Sequence, residues 1–164
     1  MTSVFQSSDL SKDVMSARTT KNAFVINPNT GSLSFGKIPA NNFGVAEGEI
    51  YLKLGLIGFG QGREGAFGAR HVWEKHKKDL AIPTPEDTAQ VVADILQEGV
   101  DVIVNFGVKK QDIRPVVLNT TKGRVILEEK VIDGVTCYTI ISAYGNKNAP
   151  GTVIGNLMKP TEDE

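Results

Sequence analysis

Apolar and polar positions alternate with period two across several stretches of the chain, and with a helical period across two others. In "EIYLKLGLI", Ile50, Leu52, Leu54 and Leu56 alternate with Glu49, Tyr51 and Lys53, the pattern of a half-buried strand. The helical period starts after a run of glycines. Over Phe67 to Leu80, residues Ala69, Val72, Trp73, His76 and Leu80 share one stripe at about 100° per residue. A second helix is predicted within "IPTPEDTAQVVADILQEG". Thr84 stands as N-cap, Pro85 suits the first turn, and Glu86 and Asp87 favour the positive end. Val91, Val92, Ile95 and Leu96 form its apolar face, and Gly99 stops it.

From Val100 onward the chain reads as strand: "VDVIVNF", "IRPVVLNT", "RVILEEKVI", "VTCYTIISAY" and a last "TVIGNLM". "TTKG" and "DG" are the turns, the second a strong two-residue hairpin signal. Near the N-terminus, "AFVINPNTGSLSFGKI" predicts two short strands around Asn-Pro-Asn-Thr-Gly, a hairpin. Met1 to Asn22, rich in Ser, Thr, Lys and Asp, reads as a mobile arm or a weak helix. Helices followed by hairpin-linked strands give an α+β fold, two helices on one face of an antiparallel sheet, with an N-terminal hairpin extension. The expected organisation is an arm and hairpin over 1–48, a main domain over 49–158 and a tail over 159–164. Val72, Trp73, Val92, Ile95, Ile103, Val117, Ile126 and Ile140 are the expected core.

At 164 residues one core is sufficient, and no apolar run reaches the roughly 18–20 residues of a membrane span. No basic-then-apolar leader opens the chain. Cys137 is the only cysteine, so no intrachain disulfide or thiolate zinc cluster forms, and "GVTCYTII" reads as a strand with a small buried thiol. The net charge of −1 hides a block pattern. Gly60–Leu80 and Asn105–Lys130 carry basic excess, while Pro85–Asp101 has five acids and no base. Either a cationic cleft and an acidic helix lie apart, or these are solvated faces of mixed sign.

The candidate chemistry is concentrated in "GFGQGREGAFGARHVWEKH", Gly58 to His76, which holds five glycines and both histidines of the chain. Gly60-Gln61-Gly62-Arg63-Glu64-Gly65 fits G-x-G-x-x-G, but the helix after it meets Pro83 and Pro85 rather than the second parallel strand that a dinucleotide fold requires. A zinc helix wants histidines four apart, whereas His71 and His76 are five apart, roughly 140° round the helix. The remaining chemistry is acid–base work by imidazoles, with nearby cations for a phosphate. By position alone His76 reads as a core histidine and His71 as one on the polar side near Lys75 and Lys78.

"GAFGARHVWEKH", a helix with an acidic first turn, and a strand meander ending in "YTIISAYG" together resemble the barnase–EndoU–colicin–RelE-like ribonuclease superfamily, in its phage-encoded and polymorphic-toxin branches. The resemblance covers Glu49 to about Gly155. It implies a metal-independent endoribonuclease that acts through attack of the ribose 2′-hydroxyl, with tRNA or another structured RNA as substrate and no cofactor. By that resemblance His71 is the catalytic histidine and His76 a second, catalytic or supporting one. Ser142 and Tyr144 lie at the sheet end facing the helix, where they contact phosphate or base and complete the catalytic set that the resemblance implies. Arg63, Arg70, Lys75, Lys109, Lys110 and Arg114 are the expected substrate contacts, the last three chosen on charge and on lying at strand ends. A toxin of this kind implies a cognate inhibitor (immunity) protein, a bacterial or phage origin, and action in the cytoplasm, with secretion or delivery into target cells as the route. The competing reading is a non-catalytic particle component or RNA-binding protein with the same fold. The acidic pI of 6.1 departs from the basic character usual in small ribonucleases.

Overall fold

A computed structural model describes residues 4–161; the outer ends of the expected arm and tail, 1–3 and 162–164, lie outside the described residues. In chain order the elements are β1 (Val4–Phe5), α1 (Lys12–Ser16), β2 (Phe24–Val25), β3 (Ser34–Ile38), β4 (Gly48–Lys53), α2 (Gly68–His76), α3 (Thr88–Ile95), β5 (Asp101–Val104), β6 (Val116–Asn119), β7 (Gly123–Ile132), β8 (Val135–Tyr144) and β9 (Thr152–Asn156). The strands form one open, mostly antiparallel sheet in the order β1-β2-β4-β8-β7-β6-β5-β9, with β3 also on β4. The α+β fold expected from the periodicities is therefore the one observed. Helix α2 packs on β4 and β8, and α3 on β6 and β7.

The β7–β8 hairpin is the longest pairing, and its turn follows from chemistry. Asp133 and Gly134 both take positive φ, 51° and 77°, as a two-residue turn matched to strand twist demands. Pairing runs from Ile132↔Val135 to Arg124↔Tyr144, with one register shift between Ile126 and Leu127. Two pairings are parallel, the short β1 on β2 and, at the centre of the sheet, β4 on β8. β4 lies parallel to β8, Ile50 opposite Tyr138, because α2, α3 and three strands intervene before the chain returns.

Of the expected core, Val72, Val92, Ile95, Ile103, Val117 and Ile140 are buried. Trp73 and Ile126 are only half-buried. On β7 the residues turned inward are Val125 and Leu127, so Ile126 falls on the alternate face. The stripe on α2 is also broader than expected: Arg70 and His71 are buried with Ala69 and Val72. α2 is covered on two sides, by the sheet and by α1 and α3, so its second face is not solvated.

The N-terminal segment differs from expectation. The turn at Asn-Pro-Asn-Thr-Gly forms, closed by Gly31 N donating to Asn27 O (2.9 Å) with Gly31 at φ 75°. Its two strands do not pair with each other; β2 lies against Leu52 and Lys53 of β4, and β3 against Gly48 to Tyr51. Six residues of β4 thus accommodate both partners end to end. The preceding arm is docked. Leu10 and Met15 are buried in the same core as Val72 and Ile140, because α1 turns its apolar residues onto α2.

Candidate functional site

The histidines sit where α2 ends against the last residues of β8. Gly55 and Gly68 set this placement. Both take positive φ, and a Cβ on Gly55 would lie 1.8 Å from Phe67 O, so the α2 entry can cross β4 only through glycine. Arg70 then points into the arm. Its Nε donates to Val14 O (2.9 Å) and its Nη1 to Thr19 O (2.6 Å) and Gly55 O (3.0 Å). At 1% exposure it cannot reach RNA, and its expected role as a substrate contact is corrected to a structural one.

His71 and His76 both lie buried, at 7% and 5% exposure. Despite their five-residue spacing the rings meet edge-on, centroids 5.7 Å apart at 90°. The helix ends at His76, and its ring is drawn toward the following turn, where Nδ1 lies 3.1 Å from Asp79 Oδ1. Asp79 is bound twice, since its Oδ2 accepts from Gly145 N at 2.7 Å. Gly145 is obligatory there, because a Cβ would come within 2.2 Å of Asp79 O. The carboxylate thus fastens the α2 exit to the end of β8 and brings Tyr144 against His76, ring centroids 4.2 Å apart. Arg124, opposite Tyr144 on β7, lies over the phenol ring at 5.0 Å.

His71, expected as the catalytic histidine, is enclosed at 7% exposure, and it is His76 that meets Tyr144, with the Asp79 carboxylate as its partner. Ser142 is 1% exposed and its Oγ, like His71 Nδ1 and His76 Nε2, is buried without a hydrogen-bond partner among the described residues. An ionised Asp79 assigns the proton of neutral His76 to Nδ1, which leaves Nε2 as a bare lone pair. Burial, then the charges of His76, Lys75 and Arg63, lower the His71 pKa to about 4. Burial also lowers that of His76, against the raising effect of Asp79.

Arg63 and Lys75 therefore do lie close enough to act on the imidazoles. Arg63 is held over α2 by Glu74 at 3.8 Å. Lys110 and Arg114 do not join them. They line a separate groove with Phe43 and Tyr138, and Lys109 adjoins it in sequence. Tyr138 is six residues, about 20 Å, along β8 from Tyr144. Asp79 and Arg124 are site residues that the sequence reading did not include. The spacing of Asp79 three residues past His76 was the available signal for the first; for Arg124 there was none, because the register shift near Ile126 sets it opposite Tyr144.

The buried imidazoles make stability depend on pH. Unfolded, His71 protonates near pH 6.5, and folded only near 4. Above pH 6.5 neither state holds the proton and nothing is lost. Between 6.5 and 4 the unfolded chain alone binds it, so stability falls with pH by up to about 1.4 kcal/mol per unit. His76 shifts in the same direction. Urea midpoints taken across this window should fall for the wild type and fall less for His71→Gln; equal slopes would contradict the burial argument.

No protein-family model, curated protein or solved structure matches this chain. Among the described residues no helix is long and apolar enough to cross a membrane.

Proposed function

We propose that the chain is a metal-independent endoribonuclease whose acid–base centre is His76 with Asp79, His71 and Tyr144. The observation that carries this reading is the Asp79–His76 pair: Nδ1 is fixed by a carboxylate while Nε2 is left unpartnered, in a ring that packs against Tyr144, over which Arg124 lies in turn. A carboxylate in this position orients an imidazole and stabilises its protonated form. His76 Nε2 takes the proton of a ribose 2′-hydroxyl, the oxygen attacks the adjacent phosphorus, and a cyclic phosphate forms as the P–O5′ bond breaks and the 5′-oxygen takes that proton back from the His76 imidazolium. Arg124 supplies the cation for the crowded phosphate. This favours His76 over His71 as the reacting histidine, with His71 holding its ring edge. Because Nε2 is sealed, catalysis on this reading requires the Tyr144 ring packed on His76 to move aside when RNA binds.

A second reading rests on that same burial. Two neutral, enclosed histidines also suit a non-catalytic protein, a particle component or RNA-binding module, in which they serve as core. The deciding measurement is incubation of the purified protein with total tRNA in EDTA, followed by analysis of RNA ends. Fragments with cyclic phosphate ends are expected; an intact pool after long incubation would leave the non-catalytic reading standing. If the activity is toxic, an inhibitor protein is the implied second partner. Carboxylates on it would meet Arg63, Lys75 and Lys78 at the histidine end, where charge complementarity speeds capture.

A further inference from the structure

Two phenylalanines far apart in sequence stand in solvent as a stacked pair. Phe43 is 47% and Phe106 42% exposed, with ring centroids 6.1 Å apart and planes 19° from parallel. Both are presented by loops that are internally fastened. Asn41 Oδ1 accepts from Phe43 N (2.9 Å), and Asn41 Nδ2 donates to Val45 O (2.7 Å). Asn105 Oδ1 accepts from Gly107 N (2.9 Å). Loops built this way hold apolar rings outward, where burial would otherwise be worth about 1.5–3 kcal/mol for each ring. Such an arrangement fits a surface that stacks on a ligand.

The pair borders a groove of about 610 Å³ that runs past Lys110 and Arg114 to Glu128 and Tyr138. Glu128 also lines the neighbouring recess of about 380 Å³, which holds Lys21, Lys53 and Lys130. The two therefore adjoin across this carboxylate, which pairs on one side with Arg114 (3.3 Å) and on the other with Lys130 (2.6 Å). Five cations line this course against Glu128 and Glu129. Lys110 makes no ion pair among the described residues. Lys53 is held below its usual pKa by burial and by Lys130, so an anion between the two would relieve a standing repulsion.

We infer that this groove binds single-stranded RNA, with an unpaired base stacked on the Phe43–Phe106 pair and the following phosphates on Lys110, Arg114 and the Lys53–Lys130 recess. Stacking on aromatic rings tolerates any base, and a cationic track follows the backbone. A duplex cannot present an unstacked face to the pair. The choice of RNA over DNA rests on the ribonuclease reading; the stacking platform itself does not.

The test uses the whole protein and a short fluorescein-labelled 2′-O-methyl oligonucleotide, which lacks the hydroxyl needed for cleavage. Fluorescence anisotropy should show binding at low salt, and Phe43→Ala and Phe106→Ala should each weaken it about tenfold. Their melting temperatures should match the wild type, since both rings are exposed. Lys110→Glu should lower the slope of log affinity against log salt by about one. The inference is overturned by absence of binding at low salt, by unchanged affinity in both phenylalanine variants, or by equal affinity for the duplex. Polyglutamate binding as tight as the oligonucleotide would assign the groove to an acidic protein and overturn it too. Oligonucleotide binding with no tRNA cleavage would leave this site standing while the ribonuclease reading fails.

Discussion

His76→Ala is expected to lower the RNA cleavage rate by about 10²–10⁴-fold, the usual range for loss of a general acid or base. The variant removes the one imidazole that has both a carboxylate on Nδ1 and an unpartnered Nε2. It also removes packing beneath Tyr144, so a stability loss of about 1–3 kcal/mol is expected beside the kinetic one. Asp79→Asn separates the two effects. An amide can still accept from Gly145 N, which keeps the α2 exit on β8, but it does not stabilise a protonated imidazole. The variant should therefore melt near the wild type while cleavage falls and its pH profile shifts. Full activity in His76→Ala, with loss in His71→Ala at unchanged melting temperature, would reverse the roles of the two histidines.

The second large effect is on stability. Arg70→Ala is expected to cost about 3–5 kcal/mol, comparable to breaking a buried ionic network. Its guanidinium satisfies the carbonyls of Val14, Thr19 and Gly55 at once, and the planar fork is what lets one side chain reach all three. Truncation leaves these acceptors short of a donor and frees α1 from α2. Urea unfolding would measure the loss, and limited proteolysis should cut first within residues 10–23. Arg70→Lys should recover only part, since an ammonium on a single stem cannot reproduce the fork. A loss under about 1 kcal/mol would mean that water replaces the guanidinium, contrary to its burial.

How far the sequence speaks for the fold is clearest at the β7–β8 hairpin. "DG" specifies both the turn and the register, and Ile132↔Val135 follows at once. Counting outward from that turn would set Arg124 opposite Ala143. The extra residue on β8 near Ile141 moves it to Tyr144, and with it the cation over the phenol. A bulge has no sequence mark in "YTIISAY", so this contact was not legible. The histidine pair was hidden for another reason. Helical geometry places residues five apart on different faces, and only the helix end at His76 with the pull of Asp79 lets the rings meet. Arg70 shows the limit of charge as a guide. A cation beside a histidine looks like a phosphate ligand until a docked arm offers it three carbonyls.

The sheet's two rims bear on how molecules of this chain meet one another. β1, at one rim, pairs over only two described residues. At the other, β9 is five residues long. Directly after it Met158 exchanges two backbone bonds with Lys37 (2.9 and 3.0 Å), and Pro39 covers Gly155 so closely that a Cβ there would lie 2.8 Å from its ring. A free ladder is a template for intermolecular strand addition, and short or covered rims blunt it. In a nine-stranded sheet that is left open, the covered β9 rim therefore offers little free ladder to a second copy of the chain.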